Sequence, residues 1–226
     1  MAEELFDEQA AESYDDRFAK LSLMRDALHL VTHLALGELP EDAHVLSVGA
    51  GTGAEILDLA QRFPRWRFTA VEPSEPMLRR CRAKAEAAGI ASRCTFHHGF
   101  IESLPDEEAF DGATAILVSQ FLVNRDARVA FFRNIASRLR PGAPLVSADL
   151  AAPEPVEPMM ALWREAWIYA GTPRERAEHI QEVFGELVAV LPPADVRSII
   201  AAGGFVDPAL CYQSILIHGW LSRRAG

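Results

Sequence analysis

His44-Val45-Leu46-Ser47-Val48-Gly49-Ala50-Gly51-Thr52-Gly53 runs from an apolar strand straight into three glycines at alternate positions. A helical spacing of Ile56, Leu57, Leu59, Ala60 and Phe63 follows at once. Glycines there allow a tight turn and bring bare backbone against a ligand. The helix beyond them starts with unpaired N–H groups. A second apolar stretch, Arg67-Phe68-Thr69-Ala70-Val71, ends on Glu72, where a carboxylate can accept hydrogen bonds from both hydroxyls of a ribose. Together these features describe a pocket for an adenosine-containing cofactor.

Outward from that stretch, strands alternate with helices. Residues 10 to 36 read as one or two helices stopped by Gly37 and Pro40. Ser74 is placed to cap a helix that Gly89 ends. Strands follow at Cys94 to His98, at Phe110 to Val118 and at Pro144 to Ala148, with a helix between the last two that Asp126 is expected to cap. This pattern predicts an α/β fold with a parallel, doubly wound sheet. The tail departs from it. Pro153, Pro155 and Pro158 open an insert, read as helices from Met159 to Ala170 and from Pro173 to Val190. A helix from Ala194 to Ala202 and two strands, Phe205 to Leu210 and Gln213 to Trp220, then close the chain as a β-hairpin. The expectation is a Rossmann-like, seven-stranded, mostly parallel sheet with a C-terminal antiparallel hairpin. It carries an N-terminal helical cap (1–40) and a helical insert (about 153–191) within a main domain over 41–226.

The chain has 226 residues, half of them hydrophobic, enough for one large domain with a sizeable core. Its formal charge of −10 opposes a broad nucleic-acid-binding face, which needs clustered Lys and Arg. Short basic runs such as Arg79-Arg80-Cys81-Arg82 leave a small RNA contact open. Cys81, Cys94 and Cys211 are far apart and read as ordinary small apolar residues of a reducing compartment. The acidic start Met1-Ala2-Glu3-Glu4 is unlike a secretory leader, and no apolar run reaches membrane-spanning length. The expectation is a cytoplasmic protein without a membrane partner.

Dinucleotide enzymes favour G-x-G-x-x-G. The spacing Gly49-x-Gly51-x-Gly53 instead resembles motif I of the class I S-adenosylmethionine-dependent methyltransferases. Leu139-Arg140-Pro141-Gly142 and Ala202-Gly203-Gly204-Phe205 fall in that family's order, and the closing hairpin is typical of it. The resemblance implies S-adenosyl-L-methionine as cofactor, its methionine part cradled by the glycine loop and its ribose held by Glu72. Cofactor contact is thereby expected of Ser47, Gly49, Ala50, Gly51, Gly53, Glu72, Pro73, Met77, Phe100, Ile101 and Ser119, with Tyr14 closing the pocket from the N-terminal helix or serving as a buried aromatic. Phe6-Asp7-Glu8 and Gln120-Phe121-Leu122 make the chain most similar to the carboxy-S-adenosylmethionine-dependent tRNA uridine carboxymethyltransferases and their relatives. It departs from that pattern in three places. Ser47 stands where many relatives carry an acid, and Phe100 where many carry an Asp that bonds the adenine amine. Ile199 stands where the carboxymethyltransferases hold the extra carboxylate with an Arg, and Arg197 is two residues away. The plain cofactor is therefore expected rather than its carboxylated form.

Methyl transfer from a sulfonium is largely a matter of placing the nucleophile, so its catalytic signature is faint and no catalytic residue is assigned. In the insert, Trp163 and Trp167 lie four apart, and Met159 and Met160 add adaptable apolar surface. With Gln120 they are the candidates for contact with an acceptor, and packing against the sheet or a second copy is the competing reading. Ser119 and Gln120 are expected at the carboxyl end of strand four, where ligands of open α/β sheets collect. His29 and His33 could seat a metal but lack a third ligand, so no metal is expected. His97 or His98 could act as a base or simply end a strand in solvent. The leading reading is a methyltransferase acting on a small-molecule acceptor, with a homodimer possible. The alternatives are a tRNA-modifying enzyme using the carboxylated cofactor, a non-catalytic cofactor-binding protein and an NAD-dependent oxidoreductase.

Overall fold

The computed structural model of the chain describes residues 6–105 and 109–226, so the acidic opening at Met1 to Glu4 lies outside the described residues. Two helices, α1 (Glu8–Ala19) and α2 (Ser22–Leu36), precede β1 (His44–Val48) and α3 (Ala54–Arg62). Then come β2 (Arg67–Glu72), α4 (Glu75–Ala87), β3 (Cys94–His98), β4 (Gly112–Ile116), α5 (Arg125–Arg138) and β5 (Pro144–Leu150). The insert holds α6 (Glu157–Ala170) and the short α7 (Arg174–Glu178), and the chain closes with α8 (Pro193–Ala202), β6 (Phe205–Ser214) and β7 (Ile217–Arg224). The seven strands form one sheet in the order β3-β2-β1-β4-β5-β7-β6. Strands β1 to β5 run parallel, and β7 lies antiparallel to both β5 and β6. The order reverses at β1, where the chain steps outward to β2 and β3 and later returns to β4.

Alternation along β1 divides the core between the two sheet faces. Leu46 and Val48 join Val71, Phe132, Ile135, Leu145 and Trp220 on one side. Val45 packs with Ile56, Leu59, Trp66, Phe68 and Leu78 on the other. Every residue of β5 is buried, as expected of a strand covered on both faces. Asp149 within it therefore requires a buried partner.

Local signals place most helix ends. Ser74 caps α4, its Oγ accepting the Met77 N–H at 3.3 Å. At α5 the expected cap, Asp126, lies inside the first turn. Asn124 takes that role, because its Oδ1 accepts the N–H groups of both Asp126 and Ala127, at 2.9 and 3.0 Å. The second insert helix also ends early, at Glu178 rather than Val190. A 3-10 turn over Ile180–Val183 follows, and Gly185 then takes a left-handed φ of 86°, which a helix cannot continue through. The closing strands run further than their apolar stretches, to Ser214 and Arg224, because their main chains pair whatever the side chains.

Gly53 holds the loop against the next helix. Its φ is +82°, and a methyl group there would meet the Cys81 Sγ on α4 at 2.5 Å. Gly53→Ala is expected to lower stability by about 1–3 kcal/mol through backbone strain and collision, as read from the midpoint of chemical denaturation. A midpoint at the wild-type value would show that α4 can retreat freely from the loop.

Candidate cofactor site

The glycine loop leaves β1 at the sheet's switch point, the general position of ligand sites in open α/β sheets. Gly49 and Ala50 both donate their N–H to the Val71 carbonyl, at 2.8 and 3.1 Å, which staples the loop to β2. Gly49 lies so close to Val118 that no side chain fits, and the Ala50 side chain is buried in the core. At Gly51 the situation differs. The nearest atom to a methyl group added there is the Met77 Cε, at 3.8 Å, so this glycine faces open space. Its N–H donates to Glu72 Oε2 at 2.9 Å, and the Ser74 N–H donates to Glu72 Oε1 at the same distance. Each carboxylate oxygen keeps a second lone pair, so the group can still accept from two hydroxyls. Burial pushes the Glu72 pKa above the ordinary glutamate value, against the pull of the two backbone donors and of His98.

Around that cradle the expected residues fall in different environments. Pro73 follows Glu72 directly, and its carbonyl lies 3.0 Å from the His98 Nε2. Phe100 is 56% exposed just beyond β3, an aromatic face open to stacking. Ile101 is buried in the core, so only its main chain can face the loop. Ser47 lies beneath the loop and donates to Glu55 Oε1 at 2.7 Å.

Ser119 and Gln120 sit beside the carboxyl ends of β4 and β5, but their side chains are engaged inside the protein. The Ser119 Oγ donates to Asp149 (2.9 and 2.8 Å to its two oxygens) and accepts from Arg128 Nε at 2.7 Å. Arg128 Nη2 lies 3.2 Å from the same carboxylate, with both charged side chains fully buried. The Gln120 Oε1 accepts the Leu150 N–H at 2.9 Å.

Helix α1 lies across the site. The Phe6 carbonyl accepts from the Ser74 Oγ at 2.6 Å, while the Phe6 ring meets Tyr14 and Phe121 edge to face. The N-terminal segment thus spans from the end of β2 to the turn after β4, with the glycine loop between them. Asp15 accepts from the Thr52 hydroxyl within the glycine loop at 2.8 Å and pairs with Lys84, and Glu8 pairs with Arg79. On the far side of Phe121, Trp163 is buried against Leu150, Leu216 and Ile217, with Met159 and Trp167 packed partly against the same cluster. Trp163 and Trp167 meet edge to face at 6.0 Å.

Sequence reasoning passed over Glu55, on the first turn of α3. It lies four residues before buried Leu59, on the same helix face, and that spacing marks it for burial. Its Oε1 accepts from Ser47 on β1 and Thr114 on β4, each at 2.7 Å. Burial raises its pKa to about 7, opposed by the two hydroxyl donors and assisted by the charge of Glu72. The paired histidines of α2 turn to a carboxylate, with His33 Nε2 at 2.6 Å and His29 Nδ1 at 3.6 Å from Asp58 Oδ2. Among the described residues no group of three or more His, Cys, Asp or Glu is placed to hold a metal ion. No described helix is long and apolar enough to cross a membrane.

The chain is similar to known methyltransferases. Residues 45–142 match a family described as the methyltransferase domain. An O-methyltransferase, resE of Aspergillus sclerotiorum, is 31% identical over 156 residues, which are 68% of this chain and 58% of that protein. The chain therefore spans little more than half of that relative. A carboxy-S-adenosyl-L-methionine synthase of a Nitratiruptor species is 30% identical over 88 residues, 38% of this chain and 37% of the synthase. An O-methyltransferase family protein from Burkholderia thailandensis superposes with a TM-score of 0.69 over 97% of this chain and 60% of that one. At 14% identity that likeness is one of fold.

Two stability changes follow from the buried acids. Asp149→Asn leaves Arg128 buried without its counter-charge and should cost about 3–5 kcal/mol in denaturant titration, and an unchanged midpoint would contradict the pairing. Glu55 is harder to deprotonate in the folded chain than in the unfolded one, so its contribution weakens as pH rises from about 4.5 toward 7. Glu55→Gln should therefore raise the melting temperature of the ligand-free protein at pH 8 and change it little at pH 4.5. The scale is roughly 2–3 kcal/mol at the upper end, and an equal effect at both pH values would count against the assignment.

Proposed function

Because the chain carries a methyltransferase domain of the class I S-adenosylmethionine-dependent superfamily, we propose that it transfers a methyl group from S-adenosyl-L-methionine to a small-molecule acceptor. One arrangement carries this reading: Glu72, at the end of β2, accepts hydrogen bonds from the glycine loop and from the start of α4 while keeping lone pairs for a ribose. Gly51 leaves room for the ligand beside it, and Phe100 offers its exposed ring to the adenine. Tyr14, Met77 and Pro73 complete the cofactor's surroundings in this reading. Gly49 and Gly53 shape the loop, and Ser47 supports it from beneath.

The cofactor supplies the activated carbon, so the protein's task is to bind it, exclude water and hold the acceptor in line. Phe6, Tyr14 and Phe121 form an aromatic margin beside the glycine loop, and the cluster of Met159, Trp163 and Trp167 continues from it. An apolar or aromatic acceptor suits such surroundings, with the insert as one wall and Gln120 near its base. The O-methyltransferase kinship of the resE protein supports an oxygen acceptor of that kind. The net charge of −10 weighs against a nucleic-acid substrate. Ile199 is buried in the core, and Arg197 instead lines a surface hollow of about 580 Å³ beside β6, so neither favours a cofactor with an added carboxylate. Nothing in this chemistry calls for a compartment other than the cytoplasm.

The test is thermal stabilisation and titration calorimetry with S-adenosylmethionine, S-adenosylhomocysteine, the carboxylated cofactor and NAD. A ligand that binds only the native state raises its stability by mass action. Stabilisation by the first two and none by NAD is expected. Gly51→Val should abolish it by filling the open space, and Glu72→Ala should weaken binding about 10-fold or more by removing a buried charge-assisted acceptor. Intact binding in both variants would place the cofactor elsewhere, and stabilisation by NAD alone would favour an oxidoreductase.

A further inference from the structure

Glu55 is an ionisable group that binding of the cofactor's ribose and adenine leaves without a task. It is 8% exposed and lies two residues beyond Gly53, on the first turn of α3. Two hydroxyls from different strands, Ser47 on β1 and Thr114 on β4, converge on its Oε1 at 2.7 Å each. Such an arrangement fixes a carboxyl group rigidly under the root of the glycine loop. Among the described residues no cation forms an ion pair with it. The charged or titratable groups that act on it are Glu72, from the end of β2, and the Cys81 thiol, from α4. Lys84 on α4 is engaged at the loop's rim by Asp15 and Thr52. A buried carboxyl group without a cation is costly to ionise, and the amino end of a helix lowers that cost only in part. A cationic ligand entering the loop would supply the missing charge.

We propose that Glu55 is the counter-charge that the glycine loop presents to the cationic methionine end of S-adenosylmethionine, and that it gives up its proton to solvent when the cofactor binds. The inference rests on the methyltransferase reading above. Ser47, unable to carry charge itself, then acts by orienting the acid that α3 supplies. The free protein holds much of this group neutral near pH 7, and a nearby ammonium and sulfonium favour its ionised form. The product has a neutral thioether in place of the sulfonium and so draws the proton off less completely. Glu55 thereby favours the cofactor over its spent form.

Calorimetric titration in two buffers of different ionisation enthalpy counts the protons released on binding. At about pH 6.5, S-adenosylmethionine should release more protons from the wild type than from Glu55→Gln, by a difference of up to about three-quarters of a proton, and S-adenosylhomocysteine should show a smaller difference. Glu55→Gln should also bind the cofactor at least several-fold more weakly at pH 8 and weaken the product by a smaller factor, since the product keeps the ammonium but not the sulfonium. Thr114→Val keeps the acid but removes a donor that favours its ionised form, so the pH of maximal proton release should move upward, which a purely structural role would not cause. It also serves as the test if Glu55→Gln fails to fold. Equal proton counts in wild type and Glu55→Gln, or an unmoved maximum in Thr114→Val, would overturn the role of Glu55 and leave the cofactor reading standing. Failure of the wild type to bind either ligand would instead remove the reading on which it rests.

Discussion

The Glu72 carboxylate joins two loops that leave neighbouring strands. One oxygen takes the Gly51 N–H and the other the Ser74 N–H, so the glycine turn and the start of α4 share a single anchor. Ser74 in turn caps that helix and donates to the Phe6 carbonyl, which brings the N-terminal segment over the same place. Removing one acid would therefore loosen the turn, the helix start and the covering segment together. The cost of burying it is shared among backbone donors that would otherwise be unpaired, and this makes a carboxylate tolerable where the apolar core ends.

Two other buried acids show different solutions to the same constraint. Asp149 lies within a fully buried strand and is paired with Arg128, Ser119 bridging them. That pair closes the carboxyl ends of β4 and β5 and leaves neither charge for a ligand. Glu55 has two hydroxyl donors and, among the described residues, no cation paired with it, so burial raises its pKa to about 7 and leaves it free to change charge. The difference separates a structural ion pair from a buried acid that can change its charge, which is the basis of the role proposed for it. It also shows how Ser47 can stand where an acid might be expected, since an adjacent helix returns the carboxyl group to nearly the same place.

Much of the architecture was legible because β1, its glycines and Glu72 combine two periodicities with a turn that only glycine permits. Strand β5 could be placed from its apolar run, while the partner of Asp149 could not, because Arg128 lies on a separate helix and only the folded sheet brings them together. Ser119 and Gln120 were read from their position after β4. Position alone does not reveal that the hydroxyl meets Asp149 or that the amide caps the Leu150 N–H. The end of α7 was missed because polar residues at helical spacing continue past Glu178, whereas Gly185 adopts a left-handed conformation. Helix α1 was expected as a cap through Tyr14, and its contacts through Asp15 and Glu8 could not be read in advance, because their partners lie far along the chain.

The most direct measurement is a crystal structure of the protein grown with S-adenosylhomocysteine. The expected density has the ribose hydroxyls on the Glu72 carboxylate, the adenine beside Phe100 and the amino-acid end over Gly51, beneath the segment that carries Phe6. Electron density for the ligand anywhere else, or a Glu72 side chain that makes no contact with it, would contradict the account at its centre.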